Sequence, residues 1–244
     1  MISREDLAVT GHLKDESVET RRTIVPTREG YERWAEVYDS DGNPLVALEE
    51  RHFPLMFPDV NGLLVADVGC GTGRQAFKLA ARGARVVALD FSPAMVGRAQ
   101  AKGKIARAYF VLADVVTSIP LKSGVLDGAV CSLILEHVDD LTSMLRQLRR
   151  VCKSNGFVLI SDIHPKLASA GAAANFEDPR TGQKVFPRGY RHEISDYLRA
   201  ANDAGFRIDA MTEASVDEKF VDEIPRATKY VGWPMLLLFG LVAS

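Results

Sequence analysis

Three glycines at alternate positions, Gly69, Gly71 and Gly73, stand directly after the apolar run Val65-Ala66-Asp67-Val68, and an acid, Asp90, closes the next apolar run. Glycine admits positive φ and leaves the backbone bare, so a ligand can lie against the chain itself. An acid about twenty residues beyond such a loop sits where a ribose presents its two hydroxyls. An ionised acceptor holds such a diol more strongly than a neutral one. A further acid, Asp114, follows a third apolar run. The pattern points to an enzyme that binds a nucleoside cofactor.

Three histidines form a second set, suited to proton transfer. His137 follows the fourth apolar run, His164 lies in Asp162-Ile163-His164-Pro165, and His192 ends Arg188-Gly189-Tyr190-Arg191-His192. Each is a candidate catalytic group, and each has a structural alternative. His137 would otherwise shape the pocket, His164 would make no substrate contact, and His192 would cap a helix. His12 and His52 carry no signal. The scattered spacing gives no metal site. Cys70, Cys131 and Cys152 are equally dispersed and read as reduced, buried thiols of a cytoplasmic protein. No base stands beside Cys70, so it reads as a small loop residue rather than a nucleophile.

The elements that must position these groups follow from the apolar rhythm. Residues 64–68, 85–89, 108–112, 126–133 and 157–161 read as strands, separated by helical patterns at 74–82, after Ser92-Pro93, and after Asp139 or Asp140. Gly83 and Gly103 stop two of the helices, and Asn155-Gly156 turns the chain into the fifth strand. Alternating strands and helices predict a parallel α/β sheet, doubly wound by right-handed crossovers. A helix at 193–204 and strands at 206–211 and 234–242 would bring the sheet to seven, mostly parallel. The strand ends carrying Gly69, Asp90 and Asp114 then converge on one edge, where open parallel sheets bind ligands.

Residues 1–60 lack strand patterns and are expected to form a mobile start followed by a helical extension, with Tyr31, Trp34, Val37 and Tyr38 on one stripe. Residues 61–244 would form the main domain, and 163–192, rich in Gly, Ala, Pro and charge, a substrate loop or lid. The polar opening, Met1 to Thr10, shows no secretory signal. The apolar run 233–243 contains Pro234 and Gly240, is too short to span a bilayer, and reads as a buried strand. The 30 basic and 32 acidic residues give a net charge of −2, which disfavours a nucleic-acid partner.

The glycine spacing separates the cofactor classes. Arg74 stands where the dinucleotide fingerprint requires its last glycine, which disfavours a nicotinamide-dependent oxidoreductase, and there is no P-loop GK[ST]. Several segments instead resemble the class I S-adenosylmethionine-dependent methyltransferases, of the small-molecule type similar to the ubiquinone/menaquinone-biosynthesis enzymes. They are Asp67-Val68-Gly69-Cys70-Gly71-Thr72-Gly73, Leu89-Asp90-Phe91-Ser92-Pro93-Ala94-Met95, Ala113-Asp114, Leu126-Asp127-Gly128-Ala129-Val130-Cys131 and Leu135-Glu136-His137-Val138. The resemblance covers about residues 30 to 162, in the family's order.

The resemblance implies a Rossmann-like fold, S-adenosyl-L-methionine as cofactor, S-adenosyl-L-homocysteine as its product, and a small-molecule methyl acceptor, with oxygen favoured over nitrogen or carbon. It implies that Gly69, Gly71 and Gly73 lie against the methionine part, with Asp67, Cys70 and Thr72 completing the loop. Asp90 would hold the ribose, Phe91 and Met95 flank the adenine beside Ser92, and Asp114, with Ala113 and Val115, meet the adenine amino group. Backbone at Leu133 would hold the amino-acid end. Tyr31 and Tyr38 would cover the site. A protein that keeps the cofactor fold without transferring a methyl is the remaining alternative.

Overall fold

The computed structural model describes residues 22–103 and 107–244. The expected mobile start, with Met1 to Thr10, lies outside the described residues.

Helix α1 (Thr27–Trp34) and helix α2 (Pro44–His52) precede the main sheet. The sheet elements follow as β1 (Leu64–Val68), α3 (Arg74–Ala81), β2 (Arg85–Asp90), α4 (Pro93–Ala101), β3 (Ala108–Leu112), β4 (Leu126–Ser132), α5 (Leu141–Val151) and β5 (Cys152–Ile163). The chain continues through α6 (Pro165–Ser169), α7 (Ile194–Asp203), β6 (Phe206–Ser215), α8 (Glu218–Glu223) and β7 (Pro234–Ala243). The seven strands lie in the order β3-β2-β1-β4-β5-β7-β6. β1 to β5 pair in parallel, and β7 runs antiparallel to both of its neighbours. The chain order reverses beside β1, so the ends of β1 and β4 open a crevice.

Successive side chains of a strand face opposite ways, and the central strands are covered on both faces, while the edge strands β3 and β6 are largely exposed. Ala66, Val158, Leu237 and Phe239 pack under α5 and α7. Their neighbours Val65, Leu159, Leu236 and Leu238 pack under α2, α3 and α8. This is why the strands read as unbroken apolar runs. Local signals end the helices as expected. Ser92 Oγ accepts the Met95 N–H at 3.1 Å, and the Asp140 carboxylate accepts the Ser143 N–H at 2.9 Å. Asn155 does take positive φ, but as part of a bulge rather than a turn before the strand. β5 starts at Cys152 opposite Leu126, and Phe157 faces Gly128.

Two readings need correction. The segment before residue 60 does contain a strand, Thr23–Val25, which pairs with Lys184–Pro187; Phe176–Glu177 completes a three-stranded second sheet. The helical stripe also ends early, because α1 stops at Trp34 and turns carry the chain on to Tyr38. Tyr31, Trp34, Val37 and Tyr38 still gather, packing with Met95, Phe176 and Val185.

A buried ion pair fixes α2 against the sheet. Glu49, fully buried, accepts from Arg74 Nη1 at 2.7 Å, Gln75 Nε2 at 3.0 Å, Ser161 Oγ at 2.6 Å and Ser132 Oγ. Glu50, nearer the surface, pairs with Arg74 and Lys78. Removing one member of a buried pair strands its partners, so Glu49→Ala is expected to cost about 3 kcal/mol in urea denaturation. Glu50→Ala should cost about 1 kcal/mol or less, as for a solvent-screened pair.

Candidate active site

The glycine loop between β1 and α3 is tied to the end of β2 through its backbone. Gly69 N–H and Cys70 N–H donate to the Leu89 carbonyl at 2.8 and 2.9 Å, and Gly71 N–H donates to Asp90 Oδ2 at 2.8 Å. Ser92 N–H holds Asp90 Oδ1 at 2.8 Å. The carboxylate is thus aimed by two main-chain donors and keeps lone pairs for a ligand. Burial pushes its pKa above the ordinary carboxylate range, against these donors.

A cavity of about 250 Å3 opens above the loop. Its wall includes Gly69, Gly71, Asp90, Phe91, Asp114, Val115, Leu133, Tyr31, Tyr38 and His137, all anticipated from the sequence. Gly71, at φ +52, has nothing within 4 Å of where a Cβ would stand, so its bare backbone faces open space. Gly69, at φ +75, is required sterically instead, since a Cβ would fall 2.4 Å from Ile134 Cγ2. Leu133 also takes positive φ, and its N–H donates to the Ser161 carbonyl at 2.9 Å.

The other anticipated cofactor residues stand behind this wall. Asp67 Oδ2 accepts the Ala76 N–H at 2.8 Å while its buried Oδ1 has no partner. Burial raises its pKa to about 7. Thr72 Oγ1 donates to Asp39 Oδ1 at 2.6 Å, and Lys102 binds that same Asp39 at 2.9 Å. Gly73 packs against Phe77 and Phe110. Met95 is in the aromatic cluster, Ser92 caps α4, and Ala113 N–H donates to the Asp90 carbonyl at 2.8 Å. Cys70 is a buried free thiol whose pKa burial pushes up.

The three histidines part company. His137 Nδ1 lies 2.7 Å from the Arg188 carbonyl, which can only accept, so Nδ1 carries the proton. Nε2 then accepts from the Tyr31 hydroxyl at 2.8 Å. Burial lowers the His137 pKa and raises that of Tyr31, so the neutral forms of both are favoured. His164 caps α6, its Nδ1 accepting the Lys166 N–H at 3.1 Å. Its Nε2 comes within 3.2 Å of Glu213 Oε1, but the angle makes no hydrogen bond. His192 Nε2 donates to the Val138 carbonyl at 2.8 Å. Of the three, His137 lines this cavity, whereas His164 and His192 line neither it nor the one beside it.

That second cavity, of about 170 Å3, shares Tyr31, Tyr38 and Leu133 with the first. Trp34, Leu45, Glu136 and Met235 are among its other walls. Glu136 and the nearby Asp162 are buried carboxyls raised by desolvation; Asp162 accepts from the Tyr197 hydroxyl at 2.6 Å. No motif marks Arg28, which lines the first cavity with its guanidinium 5.5 Å from the Phe91 ring. Among the described residues, no three His, Cys, Asp or Glu side chains gather as a metal site, and no helix is long and apolar enough to cross a membrane.

Residues 66–160 match the family model described as a methyltransferase domain. The chain is 31% identical over 265 residues to an uncharacterized methyltransferase of Emericella nidulans, covering 91% of each protein. It is 29% identical over 182 residues to a ubiquinone biosynthesis O-methyltransferase of Xanthomonas oryzae, covering 69% of this chain and 71% of that one. Among solved structures, an S-adenosylmethionine-dependent methyltransferase from Mesorhizobium loti superposes with a TM-score of 0.68 at 24% identity, over 82% of this chain and 100% of that one. Magnesium protoporphyrin IX methyltransferase of Synechocystis, with bound S-adenosylmethionine, gives 0.60 at 22% identity, over 89% and 93%.

Asp67 has a measurable signature. Its native pKa of about 7 lies above the ordinary 3.8, so folding takes up a proton between those values. Its contribution to stability is present at low pH and is lost as pH rises through 7. Urea denaturation from pH 4 to 8 should show a shallower fall with rising pH in Asp67→Asn than in the parent.

Proposed function

Because the chain belongs to the class I S-adenosylmethionine-dependent methyltransferases, we propose that it methylates a small organic metabolite on oxygen, with the cofactor in the first cavity and the acceptor in the second. The observation that carries this reading is the shared wall of the two cavities, Tyr31, Tyr38 and Leu133. It brings a diol acceptor, Asp90, close to a second space that the cofactor need not fill.

The fit to the cofactor rests on chemistry. Asp90 offers its free lone pairs to the ribose hydroxyls, Phe91 offers a ring face to adenine, Asp114 accepts from the adenine amino group, and the bare backbone of Gly71 admits close approach. Bound S-adenosylmethionine supplies a methyl group on a sulfonium, a good leaving group for in-line displacement. The chain's task is then to align the acceptor, exclude water and accept a proton. The second sheet and the α6 region, residues 163–192, serve as the lid, tied to α1 by Arg33 Nε donating to Asp178 at 2.9 Å.

Tyr31 and His137 suit a hydroxyl acceptor. As the new C–O bond forms, the acceptor's proton passes to the Tyr31 oxygen while the Tyr31 proton passes to His137 Nε2. The resulting imidazolium keeps its Nδ1–H bond to Arg188 and faces Glu136 Oε1 at 3.9 Å. The relatives support a small acceptor: one is named for ubiquinone biosynthesis and another for magnesium-protoporphyrin. The net charge of −2 favours the same reading over a nucleic acid.

Calorimetric titration with S-adenosylhomocysteine tests the cofactor site. The parent should bind in the micromolar range with no heat from NAD. Asp90→Ala should weaken binding about a hundredfold, the loss of two charge-assisted hydrogen bonds. NAD binding instead would overturn the assignment. Once an acceptor is found by screening, Tyr31→Phe and His137→Gln should each lower kcat about a hundredfold at neutral pH. Raising the pH until the acceptor itself ionises should restore much of that rate. A loss independent of pH would refute the relay.

A further inference from the structure

The acceptor cavity has two unlike ends. Tyr31, Tyr38 and Leu133 face the cofactor cavity, while Lys184 and Lys229 line both the acceptor cavity and a third cavity of about 240 Å3 beyond it. Arg226 stands on the acceptor cavity and Arg22 on the third. Among the described residues, the only acid on either wall is Glu136, whose raised pKa reduces its charge.

Four cations on two joined walls run against the chain's overall charge of −2. Arg226 has a nearby acid, Asp41, at 3.6 Å. Lys184 lies across the strand pair from Glu177, and its ammonium is 5.7 Å from the Phe186 ring. Lys229 lies 5.1 Å over the Tyr230 ring. Among the described residues, neither lysine forms an ion pair. The acceptor cavity's wall mixes the apolar and aromatic side chains of Trp34, Leu45, Met235 and Tyr230 with the amides Asn43 and Asn175.

We propose that the acceptor carries an anionic group, a carboxylate or a phosphate, which Lys184 and Lys229 bind at the end of the acceptor cavity away from the cofactor. The body of such an acceptor bridges the cavity. Its nucleophilic oxygen is at the opposite end, beside Tyr31. The lysines are specificity-determining residues, because they touch a part of the substrate that does not react. Like-charged ligands are repelled from the same surface, so the cluster both attracts and selects.

This rests on the second cavity being the acceptor site, and the test separates the two. Benzoate, phenyl phosphate and neutral benzamide are titrated into the protein loaded with S-adenosylhomocysteine, at low and high salt, with binding read by calorimetry. At least one anion should bind about tenfold more tightly than benzamide, and added salt should erode that margin because the lysines are solvent-exposed. The tighter of the two anions distinguishes carboxylate from phosphate. Lys184→Gln with Lys229→Gln should abolish the margin while S-adenosylhomocysteine affinity stays unchanged. Equal binding of benzamide and the anions, no binding of any probe, or a margin that survives the double substitution would overturn the proposal. Failure of S-adenosylhomocysteine to bind would instead count against the cofactor site.

Discussion

The architecture of the site depends on one fully buried carboxylate. Glu49 is reached by donors from the start of α3 and from near the ends of β4 and β5, while it belongs to α2. Desolvating both charges offsets most of the attraction in such a pair. Its consequence is therefore geometric: any other placing of α2 leaves an acid buried without donors. Arg74 follows Gly73 directly, so the glycine loop and the N-terminal helices share a single arrangement.

Weaker ties extend the same constraint across the first cavity. Thr72, Asp39 and Lys102 join the loop to the segment after α1 and to the end of α4. Tyr31, His137 and the Arg188 carbonyl join α1 to the turn after β4 and to the segment before α7. Trp34 stacks on Phe176 with ring centres 5.1 Å apart, linking α1 to the second sheet. Aromatic rings bring area with few rotatable bonds, so they fix a wall at low entropic cost. The partition between the two cavities is built from groups that are each held from more than one side.

Much of this was legible in the sequence because its causes are local. Buried-on-both-faces strands give continuous apolar runs, Ser92 and Asp140 cap the helices that follow them, and the glycines mark the turn at the end of β1. What was hidden depends on residues far apart in the chain. Thr23–Val25 is three residues long with two of them exposed, too short to show a period. The partners of His164 and His192, the Lys166 N–H and the Val138 carbonyl, are backbone groups that no motif announces. Arg74 was visible only as a missing glycine. Its counterpart, Glu49, lies in a helix with no strong pattern of its own.

The strand order also governs when the sheet can be assembled. β7 is the last strand in sequence, yet it lies between β5 and β6. β6 therefore has no sheet neighbour until β7 arrives, and during synthesis it must wait as an unpaired strand with Ile208 and Met211 on its surface. An unpaired strand of this kind is a template for association with another chain. Non-local pairing of this sort slows folding, because chain entropy is lost before the contacts form. The five parallel strands that carry the glycine-loop crevice can thus pair before the sheet's other edge is closed.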